Sequence, residues 1–224
     1  MADLLPLFPL RTVLFPGLAL PLHIFEPRYR SMITHLLGRP EADRRFGVVA
    51  LRQGEEVGPS PAEALHPVGC AAHVRSVQAL PDGRYDVATS GAQRFAVRAV
   101  VATDAAHPYL RAEVEWLPEL GGQDADLVAP GVAAAFLGYR AALTAAQGGA
   151  DDSSQLPDDP AVLSYLVAAA MVLDLPQRQA LLAAPDVAQR LRHERRLLVR
   201  ETALLTELPS LPAVDLAEAV VTPN

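Results

Sequence analysis

Three side chains able to bind metal fall in the short stretch HPVGCAAH: His66, Cys70 and His73. On a strand, the two-residue period puts His66 and Cys70 on one face and His73 on the other. No second group of ligands stands elsewhere to complete a tetrahedron, so these read as ordinary strand residues, with no metal and no cofactor expected. Nucleophilic chemistry is equally bare of support. Ser90 in TSGAQ lacks the glycines that flank a nucleophile elbow. Cys70 has no activating neighbour in sequence. The stretch GGADDSSQ has glycines but no Gly-Lys-Ser/Thr ending, so it is not a phosphate loop. Glu26, Asp86 and Glu113 are dispersed carboxylates that only tertiary structure could pair.

All 19 basic residues are arginine. Without lysine there is no P-loop cation, no Ser-Lys dyad and no Schiff base. The 26 acids outnumber the arginines for a net charge of −7, and six of those seven charges fall after residue 123. That balance disfavours non-specific binding to phosphate backbones. The run RLRHERR is the exception. Arg192, Arg196 and Arg200 follow at i, i+4 and i+8, a stripe of like charge that invites an acidic partner unless Glu194 and the acids of 151–159 relieve it. We read it as a solvated face.

These groups have to be carried by a framework, and half of the 224 residues are hydrophobic, enough for a substantial core. Prolines and charges interrupt every apolar run short of the 18 or so residues that span a bilayer. The start, MADLLPLFPL, has no basic segment ahead of its apolar stretch, and one cysteine permits no internal disulfide. A soluble, cytoplasmic chain is expected, with no membrane association.

The first half reads as short strands with one helix. Asp3–Leu10 and Ala19–Ile24 are apolar segments separated by RTVLFPG, whose Pro16-Gly17 pair marks a turn. In EPRYRSMITHLLG the period changes: Tyr29, Met32, Ile33, Leu36 and Leu37 share a helical face, with Pro27 in the first turn and Gly38 at the stop. Strands follow at Arg45–Leu51, at Val68–Val74, after the PDGR turn, at Phe95–Val97 and at Leu110–Trp116, with a long loop over 52–65. Phe95 and Val97 alternate there with Arg94, Ala96 and Arg98. Beyond residue 118 helices take over: one at Val132–Gln147, one opened by Asp159-Pro160, a short one at Pro176–Ala183, and a long one from Pro185 with leucines at 191, 198 and 205.

The opening stretch LPLFPLRTVLFPGLALPLHIFEPRYRSMI, with RFGVVAL, VGCAAHV, GAQRFAVRAV and the helical LPQRQALLAAPDVAQRLRHERRLLVRETALL, resembles the N-terminal substrate-binding domain of Lon proteases. The resemblance spans about Leu4 to Leu208. It implies an α+β fold: a PUA-like, mostly antiparallel β-barrel with one inserted helix, then a C-terminal helical bundle. We accordingly expect a barrel subdomain over 1–118, a helical subdomain over 119–210 and a loosely ordered tail over 211–224. Phe8, Leu10, Leu14 and Phe15 would cap the barrel interior, and the inserted helix would plug one end.

Full-length Lon works through a Walker lysine and a Ser-Lys pair, which this chain cannot supply. The expectation is a non-enzymatic module that binds unfolded or degron-bearing polypeptide, with a protease or chaperone as a further partner. Either a free strand edge or an apolar groove between barrel and bundle could receive it. Leu14, Phe15 and Leu18 are the candidate contacts. The alternative is an RNA-binding module, as PUA-like barrels often are, although acidity, missing lysine and few aromatics oppose nucleic acid.

Overall fold

The computed structural model describes residues 3–52, 64–147 and 155–207. Residues 53–63 of the long loop expected from sequence, residues 148–154 of GGADDSSQ, and the tail from 211 lie outside them. Six strands are present: β1 (Asp3–Leu10), β2 (Ala19–Ile24), β3 (Arg45–Ala50), β4 (Val68–Ala79), β5 (Tyr85–Val101) and β6 (Arg111–Trp116). Five helices accompany them: α1 (Pro27–Leu37), α2 (Ala125–Gln147), α3 (Pro160–Ala170), α4 (Leu175–Leu182) and α5 (Val187–Glu207). The fold is α+β.

One sheet contains all six strands in the order β2-β5-β4-β3-β1-β6. Because β6 also pairs with β5, the ladder returns on itself through five strands, and β2 hangs from the first part of β5. Every pairing is antiparallel except β1 with β3. That parallel pair needs a long crossover, which β2 and α1 supply. The two strands expected on either side of Gly91 are one 17-residue strand, β5. Its length lets β2 pair with residues 85–90 and β6 with 95–101, while β4 runs along the other edge; register shifts at 97/99 and along β4 interrupt the ladders.

Two cores result. The smaller gathers Leu5, Leu7, Val49, Phe95, Ala112 and Val114 within the ring of strands. Phe95 fills its centre: a Cβ on Gly47 or on Gly69 would stand 2.5 Å from the Phe95 ring. Bare backbone at those two sites is what admits the aromatic ring. The larger core lies outside the ring and joins it to the helices. Tyr29, Met32, Ile33 and Leu36 of α1 enter it as their spacing foretold, with the Phe8 ring tilted against that of Tyr29 at 4.2 Å. Leu191 and Leu198 of α5 are fully buried in the same core.

The helix α2 starts seven residues earlier than its apolar period suggested and takes Pro130 inside it. Residues Ala125–Ala145, with mean hydropathy 1.4, are long and apolar enough to cross a membrane by length and composition alone. This corrects the expectation that no run reaches that length. Val132, Phe136 and Tyr139 turn the helix inward, into the core that also holds α5.

Candidate functional site: an apolar cleft over a buried charged cluster

The segment between β1 and β2 makes one wall. Val13, Leu14 and Phe15 turn inward, and Pro16-Gly17 reverses the chain with Gly17 at φ 81°, a conformation that favours glycine. The reversal is clamped to β5: Gly17 N–H donates to the Gly91 carbonyl (2.9 Å), and Gly91 N–H donates to the Leu18 carbonyl (2.7 Å). A Cβ on Gly91 would lie 2.1 Å from the Phe15 carbonyl oxygen, so only glycine permits this crossing.

The opposite wall comes from α3. Asp159 caps it by accepting from the N–H groups of Ala161 (2.8 Å) and Val162 (3.0 Å), as its place before Pro160 predicted. That cap fixes Ala161 and Val162 on the rim, with Tyr165 and Leu166 a turn below. Between the walls runs a cleft of about 440 Å³, lined on its remaining sides by Ala92 to Arg94, Leu117 and Glu119.

The walls are apolar and the floor is charged. Arg94, only 2% exposed, donates through Nη1 to the carbonyls of Leu182 (2.8 Å) and Ala184 (2.6 Å), and its Nε stands 3.4 Å from Glu119. Arg190 is wholly buried and donates to Ser164 (2.9 Å), the Tyr165 hydroxyl (2.9 Å) and Glu119 Oε1 (2.5 Å). Its guanidinium also stacks 3.9 Å over the Tyr165 ring. The Tyr165 hydroxyl donates to the other oxygen of Glu119. Burial, opposed by Arg190 and reinforced by the Glu119 hydrogen bond, holds the Tyr165 hydroxyl well above its ordinary pKa. It stays a neutral donor throughout the physiological range. Such a floor offers fixed donors and acceptors beneath apolar walls.

The three sequence candidates separate here. Leu14 and Phe15 are buried, at 4% and 0% exposure, and cannot touch a ligand from where they lie. Phe15 is buried, its ring 6.2 Å from that of Tyr165 and with the Arg178 guanidinium over it at 5.5 Å. Leu18 is half-buried and lines the cleft. The turn that Pro16-Gly17 announced thus supplies the wall, and Leu18, the residue after it, lines the cleft.

Two charges lie where sequence reasoning did not put them. Arg94 was expected on the polar face of its strand, but the segment after β6 and the end of α4 cover that face too. Glu194, expected to relieve the arginine stripe, is fully buried with both carboxylate oxygens unbonded. Burial, only partly offset by Arg190, raises its pKa well above the ordinary value. Of the possible metal ligands, Cys70 is buried and its thiol donates to backbone carbonyls, while burial pushes its pKa up to about 12. His73 turns its Nδ1 to the Val74 carbonyl. Among the described residues no three His, Cys, Asp or Glu side chains come together as a metal site.

Residues 4–200 match the family model described as the ATP-dependent protease La (LON) substrate-binding domain. The chain is 29% identical over 214 residues to Lon protease 1 of Herpetosiphon aurantiacus, covering 90% of this chain and 24% of that protein. It is 32% identical over 206 residues to Lon protease 1 of Thermus thermophilus, covering 88% and 24%. The chain therefore spans about a quarter of the length of these relatives. Its fold is that of the N-terminal domain of the Mycobacterium avium complex Lon protease, with TM-score 0.62 at 18% identity over 90% of this chain and 98% of that one. The Lon N-terminal domain protein of Xanthomonas campestris superposes with TM-score 0.60 at 23% identity, covering 88% and 98%.

Proposed function

The chain belongs to the family of the Lon substrate-binding domain, and from that premise we propose that it recognises polypeptide through the cleft between its sheet and its helices. The observation that carries the reading is the cleft's make-up: Leu18, Leu117, Val162 and Leu166 around a floor of fixed polar groups. Exposed apolar walls select the side chains that folded proteins hide, and a few oriented donors and acceptors at depth register the segment. Unfolded or degron-bearing segments present such side chains. Val162 is 54% exposed on the rim, apolar surface open to a ligand among the described residues.

The module acts without chemistry. Only the substrate-binding part of Lon is matched, and a chain without lysine lacks the cation and base that ATP hydrolysis and Lon peptidase action use. We read it as a PUA-like barrel subdomain over 1–118 carrying a helical subdomain over 119–210, and place its work in the cytoplasm, where a lone, buried Cys70 needs no oxidant. An adaptor or quality-control role follows, in which captured polypeptide passes to a protease or chaperone. The RNA-binding alternative finds a single aromatic ring in the cleft lining, Tyr165, which is buried and already faced by the Arg190 guanidinium, a poor platform for stacking a base.

A shallow cleft of this size supports dissociation constants on the order of micromolar. The test is fluorescence anisotropy with a labelled, uncharged peptide rich in leucine and phenylalanine. Leu18→Asp and Val162→Asp place charge on opposite walls, and each is expected to weaken binding about tenfold or more. Val162→Asp, at the exposed rim, should leave the melting temperature unchanged, whereas Leu18→Asp, at a half-buried site, should lose some stability as well. Unchanged affinity in both variants overturns the reading.

A further inference from the structure

The arginine run of α5 serves two faces. At 100° per residue, Glu194 lies about 40° from Arg190, and both point into the protein. Arg192, Arg195, Arg196 and Val199 gather on the far side of the helix, roughly 140–240° away from Arg190. With Val128 of α2 they line a shallow groove of about 620 Å³, distinct from the cleft. Val199 is 63% exposed in it.

Among the described residues the charge of this groove is relieved only at Arg192. Glu194, the one acid of the run, faces the core. Arg192 donates to the Gln123 carbonyl (3.1 Å) and lies 3.9 Å from Asp124. Arg195 and Arg196 have no ion-pair partner among the described residues, and both are exposed. Next to them, His193 is held below its ordinary pKa, by burial first and then by Arg196 and Arg200.

We propose that this groove is a second docking surface, for an acidic polypeptide segment that also carries apolar side chains. Charge complementarity selects the partner: three guanidiniums surround two valines, and planar guanidinium groups pair carboxylates bidentately. Arg192 and Arg196 are one turn apart, about 6 Å along the axis, close to the spacing of alternate residues on an extended chain. A peptide alternating acidic and apolar residues could then pair its carboxylates with these arginines. Polypeptide fits better than nucleic acid because the groove floor is aliphatic, with no ring for a base to stack on, and the whole chain carries −7.

The probe is a labelled peptide of alternating glutamate and leucine, titrated against the full chain, with a glutamine–leucine peptide and oligouridine RNA as comparisons. The glutamate peptide is expected to bind, to weaken with rising salt, and to lose about tenfold or more in affinity in the double variant Arg195→Glu, Arg196→Glu. Val199→Asp, which leaves every arginine in place, is expected to weaken it as well. The double variant should still bind the neutral leucine–phenylalanine peptide normally, so failure here and failure of the cleft are told apart. Equal affinity for the glutamine peptide, an unaffected double variant, or oligouridine binding more tightly than the glutamate peptide overturns the proposal.

Discussion

Glu194 is the residue whose chemistry is most at odds with its surroundings. Its carboxylate is fully buried, accepts no hydrogen bond, and has an elevated pKa caused first by desolvation. The native state therefore holds a proton that the unfolded chain releases. Stability is greatest below the ordinary carboxylate range and falls as pH rises toward the elevated value, by about 1.4 kcal/mol per pH unit within that window. Glu194→Gln removes this slope. Thermal melts between about pH 5 and about pH 8 should show the variant gaining on the parent as pH rises. Parallel pH profiles would contradict the assignment. His193 and His66, both held below their ordinary pKa mainly by burial, act with the same sign of slope as each other and the opposite sign to Glu194. They cost stability as pH falls through the ordinary histidine range, so the profile has to be read in the difference between variant and parent.

At the scale of elements, the decisive contact is the crossing of the β1–β2 segment over β5. It depends on a single missing side chain, at Gly91, where a methyl group would meet backbone at 2.1 Å rather than a side chain able to swing away. Gly91→Ala should force the segment outward, with an overpacking cost of about 1–3 kcal/mol. Because the same segment forms a wall of the cleft, peptide affinity should fall together with stability. Ala92→Gly, one residue away, serves as the control and should leave the crossing in place. Retention of full stability and affinity in Gly91→Ala would mean that the segment does not need its clamp.

Over the whole molecule, one core joins sheet and helices, and polar bonds cross the same boundary. Arg94 of β5 holds the carbonyls at the end of α4, and Gln179 of α4 donates to the Val68 carbonyl at the start of β4 (2.9 Å). Replacing Arg94 with methionine keeps much of its volume but leaves two carbonyls without that donor and weakens the hold on Glu119. A loss of about 1–3 kcal/mol is expected, the cost of leaving buried carbonyls without their donor, since Glu119 is partly exposed and keeps Arg190. It should appear as one cooperative transition at lower temperature. A variant that melts in two steps would show that the sheet and the helical part hold independently.

Much of this protein was legible in the order of its residues. Period two marked β3, β4, β6 and two separate pieces of β5, apolar runs marked β1 and β2, and period 3.6 marked the helix Pro27–Leu37, because alternation and helical facing are properties of the local chain. Asp159-Pro160 and Pro16-Gly17 announced their cap and turn, since capping and left-handed backbone are decided within a few residues. The absence of lysine bounded the chemistry before any fold was known. Sequence could not say which faces would be covered twice. Alternation marks two sides of a strand, but the chain returning from β6 and α4 buried Arg94 on the side that read as polar. The helical wheel sets Glu194 opposite the arginine groove, yet only packing decided which of those faces would meet the core. The cleft belongs wholly to tertiary structure: Leu18, Arg94, Glu119, Tyr165 and Arg190 come from separate segments, and no local period encodes their meeting.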